Sequence, residues 1–343
     1  MLSTAQEKCQ AWIVLISAVL YVVRRFRMIS IWLVMSCAMQ FACAQSYPLK
    51  SIRMVVPYAP GGSVDVMARL FAPKLAEVMG QQVVIDNRPG ASGNIGTEFV
   101  VHSSPDGYTI LLVTLPLVVN PSLYTALPFD VMRDLAPVSL LVAAPFLLVS
   151  HPSLPVRSVR DLIGLALKQP GRLNYSSGGK GTNSHIAVEL LDSMSGIRIT
   201  HVPYKGGGPA LVAILSGEAD VGVLGYDVVI PHISSGRLRA LGISSLKRSL
   251  ALPELPTIAE SGVPGYNFSS WYGVLAPAAT PPSTVSLLYD HISKAMRGPD
   301  LATRLSRDGA EVVAGTPAQF AAHIKTEIAR WSKVIKEIEL RAD

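Results

Sequence analysis

Tyr58-Ala59-Pro60-Gly61-Gly62-Ser63-Val64-Asp65 follows an apolar run at 52–56 and leads into apolar residues at helical spacing over 66–79. A strand, a Gly-Gly turn and a helix start in direct succession leave several backbone N–H groups without intrahelical partners. They point one way, with the positive end of the helix dipole behind them. Such a junction receives an anion. A single one is equally well a tight βα connection with no ligand, but a second of the same build, Ser176-Ser177-Gly178-Gly179-Lys180-Gly181-Thr182, follows a strand pattern at 173–176. Two such loops suggest a cleft with a ligand held between opposed helix N-termini. One terminus supplies roughly 0.3–1 kcal/mol, whereas micromolar binding needs about 8 kcal/mol. Several charge-assisted hydrogen bonds, at about 1.5–3 kcal/mol each, therefore have to converge from both loops.

Outward from these loops, strand-like apolar runs alternate with helical patterns, which predicts α/β units with mostly parallel sheets. In the first block the helix at 66–79 carries Met67, Leu70, Phe71, Leu75 and Val78 on one face, and Pro73 predicts a kink or break. Strands are expected at 83–85 and 108–114, with a small-residue helix at 93–101. A strand at 146–150 leads out of this block. Beyond it, Ser158 caps a helix to Lys168, and another helix follows the second glycine loop. A strand at 199–204 precedes Lys205-Gly206-Gly207-Gly208-Pro209 and a helix to Ser216. Further strands are expected at 221–224, 240–244 and 271–275. Thr316-Pro317-Ala318-Gln319 is a capping box with proline in the first helical position. The stripe Phe320, Ile324, Ile328, Trp331, Ile335 and Ile338 after it is core packing.

The chain has 343 residues, enough for two domains, with 49% hydrophobic and 16% charged residues. Part of the hydrophobic excess lies at the N-terminus. Arg24-Arg25-Phe26-Arg27 is a positive segment, an apolar stretch at 28–41 follows, and Ala42-Cys43-Ala44 fits a small-x-small cleavage pattern. A secretory leader over 1–44 is expected, with cleavage near Ala44. The apolar run at 12–23 is too short to cross a bilayer comfortably. All 3 cysteines fall in that leader, so the remainder has no disulfide, thiolate metal site or cysteine nucleophile. The formal charge is +6, of which the leader holds +3 (Lys8, Arg24, Arg25 and Arg27 against Glu7), so +3 remains. No clustered basic face suggests nucleic acid.

Catalytic signatures are scarce. The sequence has no Gly-x-Ser-x-Gly elbow and no His-Glu-x-x-His. Gly179-Lys180-Gly181-Thr182 misses a phosphate-binding P-loop, because Gly181 stands where Ser or Thr must follow the lysine. The 7 histidines show no metal-ligand spacing, and neither a cofactor nor a metal is expected. His185, at most one turn into the helix after the second glycine loop, is placed to reach a ligand at that helix's N-terminus.

The chain closely resembles the periplasmic solute receptors of tripartite tricarboxylate transporters, the Bug receptors. The resemblance rests on Arg53 through Gly62 with Asp65, Asn87-Arg88-Pro89-Gly90-Ala91, Pro105-Asp106-Gly107-Tyr108-Thr109, Asn174 through Gly178 with Gly181-Thr182 and His185, His201-Val202-Pro203-Tyr204-Lys205-Gly206, Leu255 through Gly262, and Trp271-Tyr272-Gly273. It implies an α/β type II periplasmic-binding-protein fold, with two α/β lobes around a ligand cleft. Residues 45–149 with 271–343 would form lobe 1, and 150–270 lobe 2. It further implies a monomeric, non-catalytic periplasmic receptor that closes on a small organic acid, a di- or tricarboxylate or related compound, and delivers it to membrane transporter subunits. Presentation to a sensor kinase, or enzymatic use of His185 as a base, are the alternatives. Carried over residue by residue, the ligand-binding set is Tyr58, Gly61, Gly62, Ser63 and Asp65, with Thr114, Ser177, Gly178, Gly181, Thr182 and His185, and then Asn120 and Tyr204. Asp65 is an awkward neighbour for an anion and is expected to cap the helix and shape the loop. At Val223-Leu224-Gly225, where many relatives carry a polar set, the chain departs from the family pattern, so contacts to the far end of the ligand do not transfer.

Overall fold

In the computed structural model, residues 47–307 and 309–341 are described; the expected leader and its cleavage point lie outside them. The chain divides into two units, Met1–Leu49 and Lys50–Asp343, and every element below belongs to the second. β1 (Ile52–Val56) is flanked in parallel by β2 (Val83–Asn87) and β3 (Thr109–Val113). Between them run helices α1 (Ser63–Met79) and α2 (Asn94–Val101). After α3 (Pro116–Leu123), the long strand β4 (Leu135–Ser150) begins in this sheet, paired antiparallel with β9 (Ser269–Pro277) and β10 (Glu311–Gly315). From Phe146 onward β4 pairs instead with β7 (Val221–Gly225) and β8 (Arg239–Ile243). β5 (Asn174–Ser177) pairs in parallel with β6 (Thr200–Pro203) and β7 and completes the second sheet. α4 (Val159–Lys168), α5 (Asn183–Ser195), α6 (Gly207–Leu215) and α7 (Tyr226–Ser234) accompany it. α8 (Pro282–Met296), α9 (Pro299–Arg307) and α10 (Pro317–Glu337) return to the first. One strand thus serves both lobes, and the overall order is β2-β1-β3-β9-β4-β7-β5-β6.

The βα units match the expected alternation, but the sheets are not mostly parallel, because β4 and β9 run antiparallel to every strand they pair with; other differences also have physical causes. α1 starts three residues early, directly after Gly62, and runs unbroken through Pro73. The exposed proline ring removes only one hydrogen bond from the solvent face, so neither break nor interruption follows. β4 is far longer than the expected 146–150, because Pro137, Ser139 and Pro145 hide its first half from a pattern reading. Its register shifts between Pro137 and Ser139 and between Leu140 and Val142 absorb the irregularity. The capping box holds: Thr316 accepts from the Gln319 amide while the Gln319 side chain takes the Thr316 N–H. Phe320, Ile324, Trp331 and Ile335 of α10 are buried. Ring edges lock this helix to the first sheet, Trp271 standing edge-on to Phe320 at 5.6 Å between ring centres. Among the described residues no helix is long and apolar enough to cross a membrane.

Candidate binding cleft

Parallel strands expose their carboxyl ends to a common crevice, and here helices follow β1, β5, β6 and β7 with few intervening residues. Their N-caps are Gly62, Thr182, Gly206 and Gly225, and none of the four receives a side-chain capping hydrogen bond. Of the other helices, those after Ser158 and Thr316 are closed by a side chain, whereas those after Gly93, Leu115 and Pro281 are not. Gly62, Thr182, Gly206 and Gly225 all line one cavity of about 570 Å³, counting the part open to solvent.

The first glycine loop is held from beneath. Asp65, 3% exposed, lies in the first turn of α1 and reaches back, accepting from the Gly61 N–H at 3.0 Å and from Arg69 Nε at 2.8 Å. Its other oxygen accepts from Asn87 Nδ2 at 3.0 Å, and the same amide donates to the Tyr58 carbonyl. Burial pushes the Asp65 carboxyl up, but Arg69, the Gly61 amide and Asn87 outweigh it and hold the group below the ordinary carboxylate value. The acid therefore stays charged and ties three segments of the loop together without facing the cavity.

The two lobes touch across the cleft through residues without side chains. A methyl added to Gly206 would lie 2.6 Å from Ala59 Cβ, one on Gly207 3.3 Å from Gly62 Cα, and one on Gly208 3.2 Å from the Pro60 carbonyl oxygen. Polar contacts bridge the same gap. Ser92 donates to the Lys180 carbonyl at the mouth, and Asn183 Nδ2 donates to Thr114 Oγ1 and Ser270 Oγ at 3.2 and 3.0 Å in the interior. Thr114 and Ser270 are themselves 2.7 Å apart.

Behind the second glycine loop lies a stack of rings. His185 and His201 are 4.3 Å apart between ring centres, and His201 stacks on Tyr175 at 4.8 Å. His185 Nδ1 accepts the Gly181 N–H at 3.0 Å, while the Ser177 hydroxyl meets His201 Nε2 at 2.6 Å and receives the Gly179 N–H at 3.1 Å. Burial, with His201 and Lys180 nearby, pushes the His185 imidazole down to about 3; burial and Lys180 bring His201 to about 4. Both rings are neutral at pH 7 and shape the loop.

Of the expected site residues, Tyr58, Gly62, Ser63, Thr114, Gly178 and Thr182 line the cavity. Tyr204 lines its outer mouth. Gly61 and Asp65 support the first loop, and Ser177, Gly181 and His185 support the second. Asn120 is buried and donates to the Ser92 carbonyl and to Asn94 Oδ1. The pattern reading missed Asn183, Gly206 and Gly207, and the apolar wall formed by Phe146, Leu224 and Val228. Glycine after a strand at 206–207 was a visible signal; the wall was not, since it depends on which strands become neighbours. Among the described residues no cluster of ligating side chains could hold a metal ion.

Residues 67–340 match the family described as "Tripartite tricarboxylate transporter family receptor". Protein BugT of Bordetella pertussis is 40% identical over 296 residues, 86% of this chain and 91% of that protein. A protein encoded in the tcbD-tcbE intergenic region of Pseudomonas sp. strain P51 is 39% identical, over 87% of this chain and 89% of its own length. Among solved structures, the R. palustris protein Rpa4515 with adipate superposes with a TM-score of 0.84 at 37% identity, covering 86% of this chain and 99% of that one. MatC from Rhodopseudomonas palustris with bound malate gives 0.80 at 31%, covering 84% and 100%.

Proposed function

The chain belongs to the tripartite tricarboxylate transporter receptor family, whose members bind substrates and are not enzymes, and from that premise we propose that it captures a small organic acid by closing its lobes and delivers it to a tripartite membrane transporter. The observation that carries the reading is the convergence of uncapped helix N-termini from both lobes on one cavity. Backbone N–H groups there can surround a carboxylate with donors that need no reorganisation. Rpa4515 holds adipate and MatC holds malate on similar frames, which supports a carboxylate here. Tyr58, Gly62, Ser63, Thr114, Gly178 and Thr182 are the residues proposed to touch it. Gly61, Asp65, Asn120, Ser177, Gly181 and His185 act by holding those residues in place, and Tyr204 stands at the entrance. The moving bodies are 45–149 with 271–343 and 150–270, joined through β4 and the segment entering β9. Export to the periplasm with removal of the leader near Ala44 completes the reading.

The test is a thermal-shift screen of purified protein against carboxylates, amino acids and neutral amides. A ligand at a hundred times its Kd stabilises the fold by about 2.7 kcal/mol, a shift of a few degrees. Gly62→Val provides the site control, because a methyl there would already touch Gly207 at 3.5 Å and the branches of valine would project into the gap between the loops. Loss of the shift in a folded Gly62→Val protein is expected; an unchanged shift removes the cavity as the binding site.

A further inference from the structure

The two ends of the cleft differ in chemistry. β6, β5, β7 and β4 lie side by side in that order, so the cleft runs from the glycine loops after β5 and β6 toward Phe146 of β4, which pairs with Gly225. An adjoining pocket, which shares Tyr58, Ala59, Gly178, Thr182 and Gly206 with the cavity, carries Lys180 and Lys205 beside the glycine loops. At the inner end stand Phe146, Leu224 and Val228, faced by Val64 from the first lobe. No Lys, Arg, His, Asp or Glu lines the inner cavity. Two helix termini supply N–H donors there, that of α1 at Ser63 and Val64 and that of α7 at Gly225, and each has a carboxylate in its first turn, Asp65 and Asp227. A methyl on Gly225 would stand 2.6 Å from Asp227 Oδ1 and 2.1 Å from Ser63 Oγ, so the acid lies directly behind this end of the cavity. A ligand carboxylate reaching the inner end would exchange water for hydrocarbon and face a resident negative charge.

We propose that the ligand is a monocarboxylate with a hydrocarbon tail, its head at the helix N-termini of the glycine loops and its tail directed between Phe146, Leu224 and Val228. This rests on the receptor reading and refines it, since Rpa4515 and MatC are seen with acids charged at both ends. The charge-free wall selects the tail.

Hexanoate and adipate test that selection, because they share six carbons and differ only in whether the far end is a methyl or a carboxylate. Calorimetric titration of the purified protein, unfolded and refolded to remove any carried-over ligand, is expected to give hexanoate a Kd at least tenfold lower than adipate. Val228→Lys places a cation at this end and should narrow or reverse that ratio, with circular dichroism and a thermal melt checking that the variant is folded. Adipate binding as well as or better than hexanoate overturns the tail assignment and leaves the receptor reading intact. So does a ratio unmoved by Val228→Lys. Failure of every carboxylate in the broader screen overturns the receptor reading, and this inference with it.

Discussion

Asp65 shows how a charge can serve an anion site without touching the anion. Its oxygens satisfy the Gly61 N–H and Asn87 at once, and Asp65→Ala removes the charged acceptor that these part-buried donors share. A lost partner of this kind costs about 1–3 kcal/mol, so a stability loss of about 2 kcal/mol is expected in urea denaturation, with Asp65→Asn costing less because it keeps one acceptor. His185 gives a pH-dependent counterpart. Its native pKa of about 3 lies below the ordinary 6.5, so the unfolded chain takes up a proton that the folded state excludes as pH falls below 6.5. The stability contributed by the neutral ring is full above that value and is lost progressively toward pH 3. His185→Gln removes the linkage. The destabilisation it causes should therefore be largest at pH 7 and shrink toward pH 4. Asp192, pushed up to about 7 by burial, acts with the opposite sign but is present in both proteins. A gap between their denaturation midpoints that stays constant with pH would count against the assignment.

At the scale of elements, what could be read in advance was what is local. The junctions after β1, β5 and β6 carry their own punctuation, glycines soon after the strand, and Ser158 and Thr316 announce their helices. β4 was half hidden, since its apolar and polar positions follow two different sheets in succession. α3 begins in the buried run Leu115 to Val119, which is apolar on all sides and has no period to detect. The cavity wall of Phe146, Leu224 and Val228 was illegible for a related reason: it exists only because β7 lies beside β4. Gly273 of β9 is a case where the sequence shows a glycine and only the packing explains it. A methyl there would be 2.1 Å from Phe320 Cζ, in a position fixed by α10. Gly273→Ala overpacks this contact and should cost about 1–3 kcal/mol, measured as a lowered midpoint of thermal unfolding with little change in ligand affinity at 25 °C.

For the whole molecule, the lobes meet at glycines packed tightly against the facing chain. Gly206 has φ +112° and meets Ala59, so Gly206→Ala both strains the turn and wedges the lobes apart. Small-angle scattering should show a protein that stays expanded when ligand is added, with affinity reduced at least tenfold; normal contraction would mean that the turn yields and the jaw tolerates the methyl. The Ser92 to Lys180 contact across the mouth has a practical value of its own. Since the chain's cysteines are confined to Cys9, Cys37 and Cys43, the remainder is silent toward thiol reagents. A Ser92→Cys, Lys180→Cys protein without those three would carry a matched pair of attachment points, one on each jaw, and dyes placed there would turn occupancy into an optical signal.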